Sequence, residues 1–284
     1  MNGEIVLPQI FPLDHKTTQW IHGQTKAMPL SEALYQFQQV APSLPRHFQL
    51  GLWAQEQLGL SGAALDRWHS HLWCGSLANI GLISRAQEQR MAEVEPLLEP
   101  TDWSLLAPHR EKGEGVILVG GHVGPSLLNQ YRILKDELPI LVFATNNSLG
   151  DVNLVNLNRK HLRNRSLALA VSYLRKGGSV HFSPDGLLGQ SWVEETLLGC
   201  SIRLSKSIFQ IEKLTRAPIY WLSAQWQKGR IAHLLRPMPS LRDTPAEQWQ
   251  ELWTQAYLAM IAEAYTQGAE NIRFGGSFAT NWQA

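Results

Sequence analysis

The chain has 284 residues, 44% apolar and 17% charged, which excludes a disordered polypeptide and is enough to bury a sizeable core. Lys+Arg 25 against Asp+Glu 24 leave a net charge of +1, so no overall field holds a nucleic acid, and attraction to phosphate or anionic lipid must be local. Two cysteines, Cys74 and Cys200, are too few for a disulfide scaffold and fit a reducing, cytoplasmic compartment.

Met1–Ile10 lacks the basic start and long apolar run of a secretory signal. No window reaches the roughly 18–20 uncharged apolar residues of a membrane span, so a soluble protein is expected. The first hundred residues read as helical, with apolar side chains spaced by three and four over Leu30–Val40, Arg46–Leu58 and Ala63–Ser84. Pro42, Pro45, Gly59 and Gly62 punctuate them, and Glu99–Gly113, broken by two prolines, reads as a connector. From there strands alternate with helices: strand Gly115–Gly120, helix Ser126–Asp136, strand Pro139–Ala144, helix Asn156–Arg175, strand Gly178–Ser183, helix Ser205–Thr215 and strand Pro218–Ala224. A fifth strand over Gly229–Leu235 and a long helix Pro245–Gly268 complete the series. Alternation of this kind predicts an α/β fold, a mostly parallel central sheet flanked by helices, with a helical N-terminal extension over residues 1–100 and the sheet domain over 101–284 as one unit.

Three features carry candidate chemistry. Gly120-Gly-His122-Val-Gly-Pro-Ser126 sits where the first strand gives way to a helix, at the carboxyl end where parallel sheets bind ligands. Its glycines, Gly121 and Gly124 among them, allow close backbone approach, and His122 can act as a general base near neutral pH. Gly177-Gly-Ser-Val-His181-Phe-Ser-Pro-Asp185-Gly186 is a second strand running into a turn. A basic run, His161, Arg163, Arg165, Arg175 and Lys176, continues at Arg203, Lys206, Lys213 and Arg216, and such charges either receive a phosphate or make a solvated helix face. His69-x-His71-x-x-Cys74 has ligand-like spacing, but on a helix its members do not share one face, so no metal is expected.

Taken in order, His122, Arg175-Lys-Gly-Gly178, Pro184-Asp-Gly186, Gly189, Leu198-Gly199 and Arg216-Ala-Pro218 resemble the bacterial late acyltransferases of lipid A biosynthesis, in the lysophospholipid acyltransferase-like superfamily. The likeness covers roughly residues 103–239. It implies an acyltransferase-like domain that moves an acyl group from a thioester donor, acyl carrier protein or acyl-coenzyme A, to a hydroxyl or amine acceptor without a further cofactor. The chain departs from the pattern at Leu127, where the family places an acid, at Trp221, where it places a proline, and in lacking the family's hydrophobic N-terminal anchor.

On this resemblance His122 is the expected general base, with Ser126 or Asn129 orienting it in place of the acid. Backbone N–H groups of the Gly120–Ser126 loop, or a nearby arginine, are expected to hold the oxyanion. Gly121, Gly124, Arg163, Arg165, Asp185 and Gly186 are the expected substrate-binding residues, the two arginines gripping a phosphate and Asp185 shaping its turn and orienting a basic or hydroxyl partner. A catalytically silent acyl- or carrier-binding homologue and a thioesterase-like hydrolase are the alternatives. Trp53, Trp68 and Trp73 either are packed core or, with the basic cluster of residues 203–216, make peripheral contact with the inner face of the cell membrane.

Overall fold

The computed structural model describes residues 28–273 apart from 45, 47, 146–148, 150–152, 187–190 and 199, together with 20, 23 and 26. Gly189 and Gly199 of the expected motif lie outside the described residues. From residue 28 onward the described residues open with α1 (Leu30–Val40), α2 (Phe48–Leu58) and α3 (Gly62–Gln87). A short helix, α4 (Ala107–Glu111), interrupts the predicted connector before the sheet begins.

The sheet contains β1 (Ile117–Val119), β2 (Ile140–Ala144), β3 (Leu154–Asn156), β4 (Ser179–Phe182), β7 (Ile219–Gln227) and β8 (Arg230–Met238), in the order β3-β2-β4-β1-β7-β8. Every pairing is parallel except that of β7 with β8. β7 and β8 are joined through Lys228 (φ 51°) and Gly229 (φ 79°). Two consecutive left-handed residues match the twist of a tight antiparallel hairpin. The predicted fifth strand is therefore one arm of this hairpin. Helices α5 (Leu127–Lys135), α6 (Lys160–Arg175), α7 (Ser207–Thr215) and α8 (Ala246–Gln267) cover the sheet.

Three strands are absent from the sequence reading. β3 is three residues long, too short for any periodicity to register, and its last residue, Asn156, is the first of the predicted helix Asn156–Arg175. β5 (Trp192–Leu197) and β6 (Cys200–Ser205) form a separate two-stranded antiparallel ribbon. Its far end is tied to the sheet, because the Ser205 amide donates to the Pro184 carbonyl at 2.7 Å.

The main core joins α2 and α3 to the sheet and α8. Trp53, Trp68 and Trp73 are 5%, 8% and 3% exposed, so their rings pack inside the protein and are not available to a lipid interface. Trp53 also donates its Nε1–H to the Leu198 carbonyl at 2.8 Å, docking α2 on the ribbon. Phe209 meets Trp249 and Trp253 edge-on, with ring centroids 5.3 and 5.4 Å apart, and this fixes α7 against α8. Among the described residues no helix is long and apolar enough to cross a membrane.

Candidate active site

β1 and β4 are parallel neighbours with Val119 opposite Phe182. His122 stands three residues beyond Val119, and Asp185 three residues beyond Phe182. Two loops leaving adjacent strands at the same end thus bring together residues 63 positions apart in the chain. The His122 amide donates to Asp185 Oδ2 at 2.9 Å, and the His122 ring nitrogen Nδ1 lies 3.0 Å from Asp185 Oδ1. That separation is an ion-pair contact whose N–H direction is not aligned on the oxygen, and contacts of this kind commonly tighten only when substrate binds.

Asp185 is 2% exposed. Burial pushes its carboxyl upward, but the His122 imidazole, the His122 amide and the Tyr257 hydroxyl outweigh that and hold it below the usual carboxylate range. An ionised Asp185 beside Nδ1 favours the tautomer with the proton on Nδ1, which leaves Nε2 as the basic nitrogen facing the cleft. His122 is 25% exposed on its side chain and lines that cleft.

This arrangement corrects the expected orienting groups. Ser126 Oγ accepts from Arg273 Nη1 at 2.7 Å. Asn129 is 1% exposed and donates to the Leu222 carbonyl at 3.3 Å. Neither is hydrogen-bonded to His122, because Asp185 already occupies Nδ1. Leu127, at the position of the family's acid, is an apolar residue of the cleft wall. The carboxylate beside His122 comes instead from the turn that follows the neighbouring strand β4.

The loop is clamped from behind by α8. Tyr257 donates its hydroxyl to the Gly120 carbonyl at 2.8 Å, and Tyr265 donates to the His122 carbonyl at 2.9 Å. Both phenols are buried and kept protonated, foremost by desolvation and next by the charge of Asp185. Sequence reasoning missed them. Their spacing of eight, two helical turns on one face, was the available signal.

The amides of Gly120, His122, Gly124 and Ser126 are engaged by Phe182 O, Asp185, Asn271 O and Gly124 O respectively, and Pro125 has none. Those four amides are therefore engaged within the fold, and Arg273, bonded to Ser126, is an arginine beside the loop. Gly121 and Gly124 do not line the cleft. A Cβ on Gly121 would come within 2.8 Å of the Trp221 ring, and Gly124 (φ 48°) has the Ala224 carbonyl 2.3 Å from its Cβ position, so both glycines serve close packing. Trp221 itself is 1% exposed and bonds Ser223 at 2.8 Å, within the core.

The cleft has a volume of about 770 Å³, within the range for small-molecule sites. Arg163, Arg273 and Gly186 line it, with apolar wall from Leu127, Phe143 and Phe182, while Arg165 is not among the lining residues. Three other members of the basic run make contacts within the protein. Arg175 bonds the Leu214 carbonyl, Arg216 the Leu241 carbonyl, and Arg203 pairs with Glu194 at 3.5 Å. His69 packs edge-on against Trp68, and His71 lies 3.3 Å from Glu270. Among the described residues no group of three or more His, Cys, Asp or Glu is placed to hold a metal ion.

Comparison of the chain with models of known protein families and with curated proteins found no match.

Proposed function

We propose that the cleft transfers an acyl group from a thioester donor, acyl carrier protein or acyl-coenzyme A, to a hydroxyl or amine. One observation carries this reading: a half-buried imidazole in a ligand-sized cleft, backed on Nδ1 by a buried carboxylate at 3.0 Å. A His–Asp pair of this kind is a general base with its tautomer set.

His122 Nε2 takes the proton from the acceptor as the acceptor oxygen or nitrogen attacks the thioester carbonyl. The tetrahedral oxyanion gains a donor from the Arg273 guanidinium, since the loop amides named above are already engaged. When the C–S bond breaks, the thiolate recovers that proton from the imidazolium. Ser126 is bonded by Arg273 and not by His122, so its hydroxyl is not activated as a nucleophile, which favours direct transfer over an acyl-enzyme. Arg163 is the cationic residue suited to an anionic group such as the phosphate of the donor's pantetheine arm. Asp185 supplies His122 with the carboxylate that Leu127 does not, which supports an active enzyme over a silent homologue.

The test is a panel of acyl carrier protein and coenzyme A thioesters offered to the purified chain with hydroxyl and amine acceptors, products being read by mass spectrometry. Acyl transfer that disappears in a folded His122→Ala variant is expected. Release of free acid alone assigns the cleft to a hydrolase. Undiminished transfer by His122→Ala removes the site.

A further inference from the structure

His181 lies in the middle of the sheet on β4, with Leu118 of β1 and Val142 of β2 as its register partners. The residue is 4% exposed, and neither of its ring nitrogens has a hydrogen-bond partner among the described residues. The ring nevertheless lines the cleft that holds His122. A buried polar group without a partner is costly, and in a ligand cleft the missing partner is most simply supplied by the ligand.

A second polar side chain stands next to it. A Cβ on Gly120 would lie 3.2 Å from His181 Nε2 and 3.5 Å from Asn129 Nδ2, so the bare glycine leaves both groups room on one side of the loop. Asn129 Oδ1 is likewise buried without a partner. Burial pushes the His181 imidazole down to about 4, so near pH 7 the ring is neutral and offers one donor and one acceptor. Asp185 is already committed to His122. A neutral imidazole suits an uncharged oxygen better than a phosphate, and the arginines Arg163 and Arg273 are elsewhere on the lining for the latter.

We propose that His181 is a second substrate-binding residue of the cleft, hydrogen-bonding an uncharged oxygen, a carbonyl or hydroxyl, of the bound acyl substrate. The ligand's identity as an acyl compound rests on the proposed function, whereas the polar subsite rests on the geometry of His181 alone.

Two variants and one spectroscopic measurement test it. His181→Phe keeps an aromatic ring and removes both nitrogens, and His181→Gln restores a neutral donor and acceptor. Without ligand, His181→Phe is expected to melt no lower than the parent, since the unpartnered nitrogens are gone. With the active donor its KM should rise, or its kcat fall, by about tenfold, and His181→Gln should recover much of the loss. In the full chain, imidazole nitrogen resonances assigned to His181 by their loss in His181→Phe or His181→Gln should move when decanoyl-coenzyme A or a hydroxyl acceptor is added, the arm that moves them naming the source of the oxygen. Failure of His122→Ala to abolish transfer would remove the proposed reaction while leaving the resonance measurement to judge His181. Resonances unmoved by every donor and acceptor, or unaltered kinetics in a stable His181→Phe, overturn the inference and leave a packing residue or a buried water in its place.

Discussion

Asp185 engages His122 at two points at once: one carboxylate oxygen accepts the backbone amide at 2.9 Å, and the other lies 3.0 Å from the ring nitrogen Nδ1. The same side chain therefore fixes the loop and sets the tautomer. Because β1 and β4 are held in parallel register, neither loop can shift along the sheet without breaking both contacts.

Asp185→Asn preserves the size of the side chain and an oxygen for the His122 amide, but it replaces the charge facing Nδ1. We expect kcat to fall by about 10²–10⁴-fold with the fold intact. Steady-state kinetics beside circular dichroism checks this, and a fall of less than threefold would mean that Asp185 only shapes the loop.

Tyr265→Phe removes the donor to the His122 carbonyl without opening a cavity. A loss of about 1 kcal/mol is expected, or roughly 2–4 °C in melting temperature, with turnover reduced less than in the Asp185 variant. A thermal melt reads the first and kinetics the second. An unchanged melt would show that the clamp contributes nothing to holding the loop.

Gly124→Ala meets two obstacles, a left-handed φ of 48° and a carbonyl oxygen, that of Ala224, 2.3 Å from the new carbon. The backbone has little freedom to yield, since the Gly124 amide is held by the Asn271 carbonyl at 2.7 Å. A loss of about 2–4 kcal/mol is expected. Gly59→Ala is the control, with φ 64° but nothing within 4 Å, and should cost about 1 kcal/mol. Equal losses in denaturant titrations of the two variants would refute the steric account.

Glu212 is fully buried and accepts the Leu241 amide, and burial pushes its carboxyl up to about 8. The folded state then binds a proton that the unfolded state has released, so stability falls as pH rises from the unfolded value of 4.5 towards about 8. Glu212→Gln keeps an acceptor for Leu241 and abolishes the titration. Relative to the parent, it should gain about 1 kcal/mol per pH unit across the upper part of that window. Urea unfolding of both proteins at pH 6 and pH 8 decides it, and a pH-independent difference would refute the prediction.

Much of this fold was legible because its helices and strands carry their own periodicity. The apolar run at Ile117–Val119 and the long stripe of Ala246–Gln267 need no partner to be recognised. β3 escaped because three residues are too few for a period to register, and β6 because its buried face is only two residues deep, Ile202 and Leu204 on either side of the exposed Arg203. The three tryptophans of α2 and α3 could be read as core or as a lipid-facing belt, and only their burial in the assembled fold resolved them.

His122 was visible from the sequence, as was Asp185 in its turn, because each follows a strand of recognisable composition. Their pairing was not. It depends on β4 inserting between β1 and β2, and strand order in a parallel sheet is decided by how the crossover helices pack. The linear chain thus determined which residues stand at strand ends and what chemistry they carry. The assembled sheet decided which strand ends are neighbours, and so which carboxylate faces the imidazole.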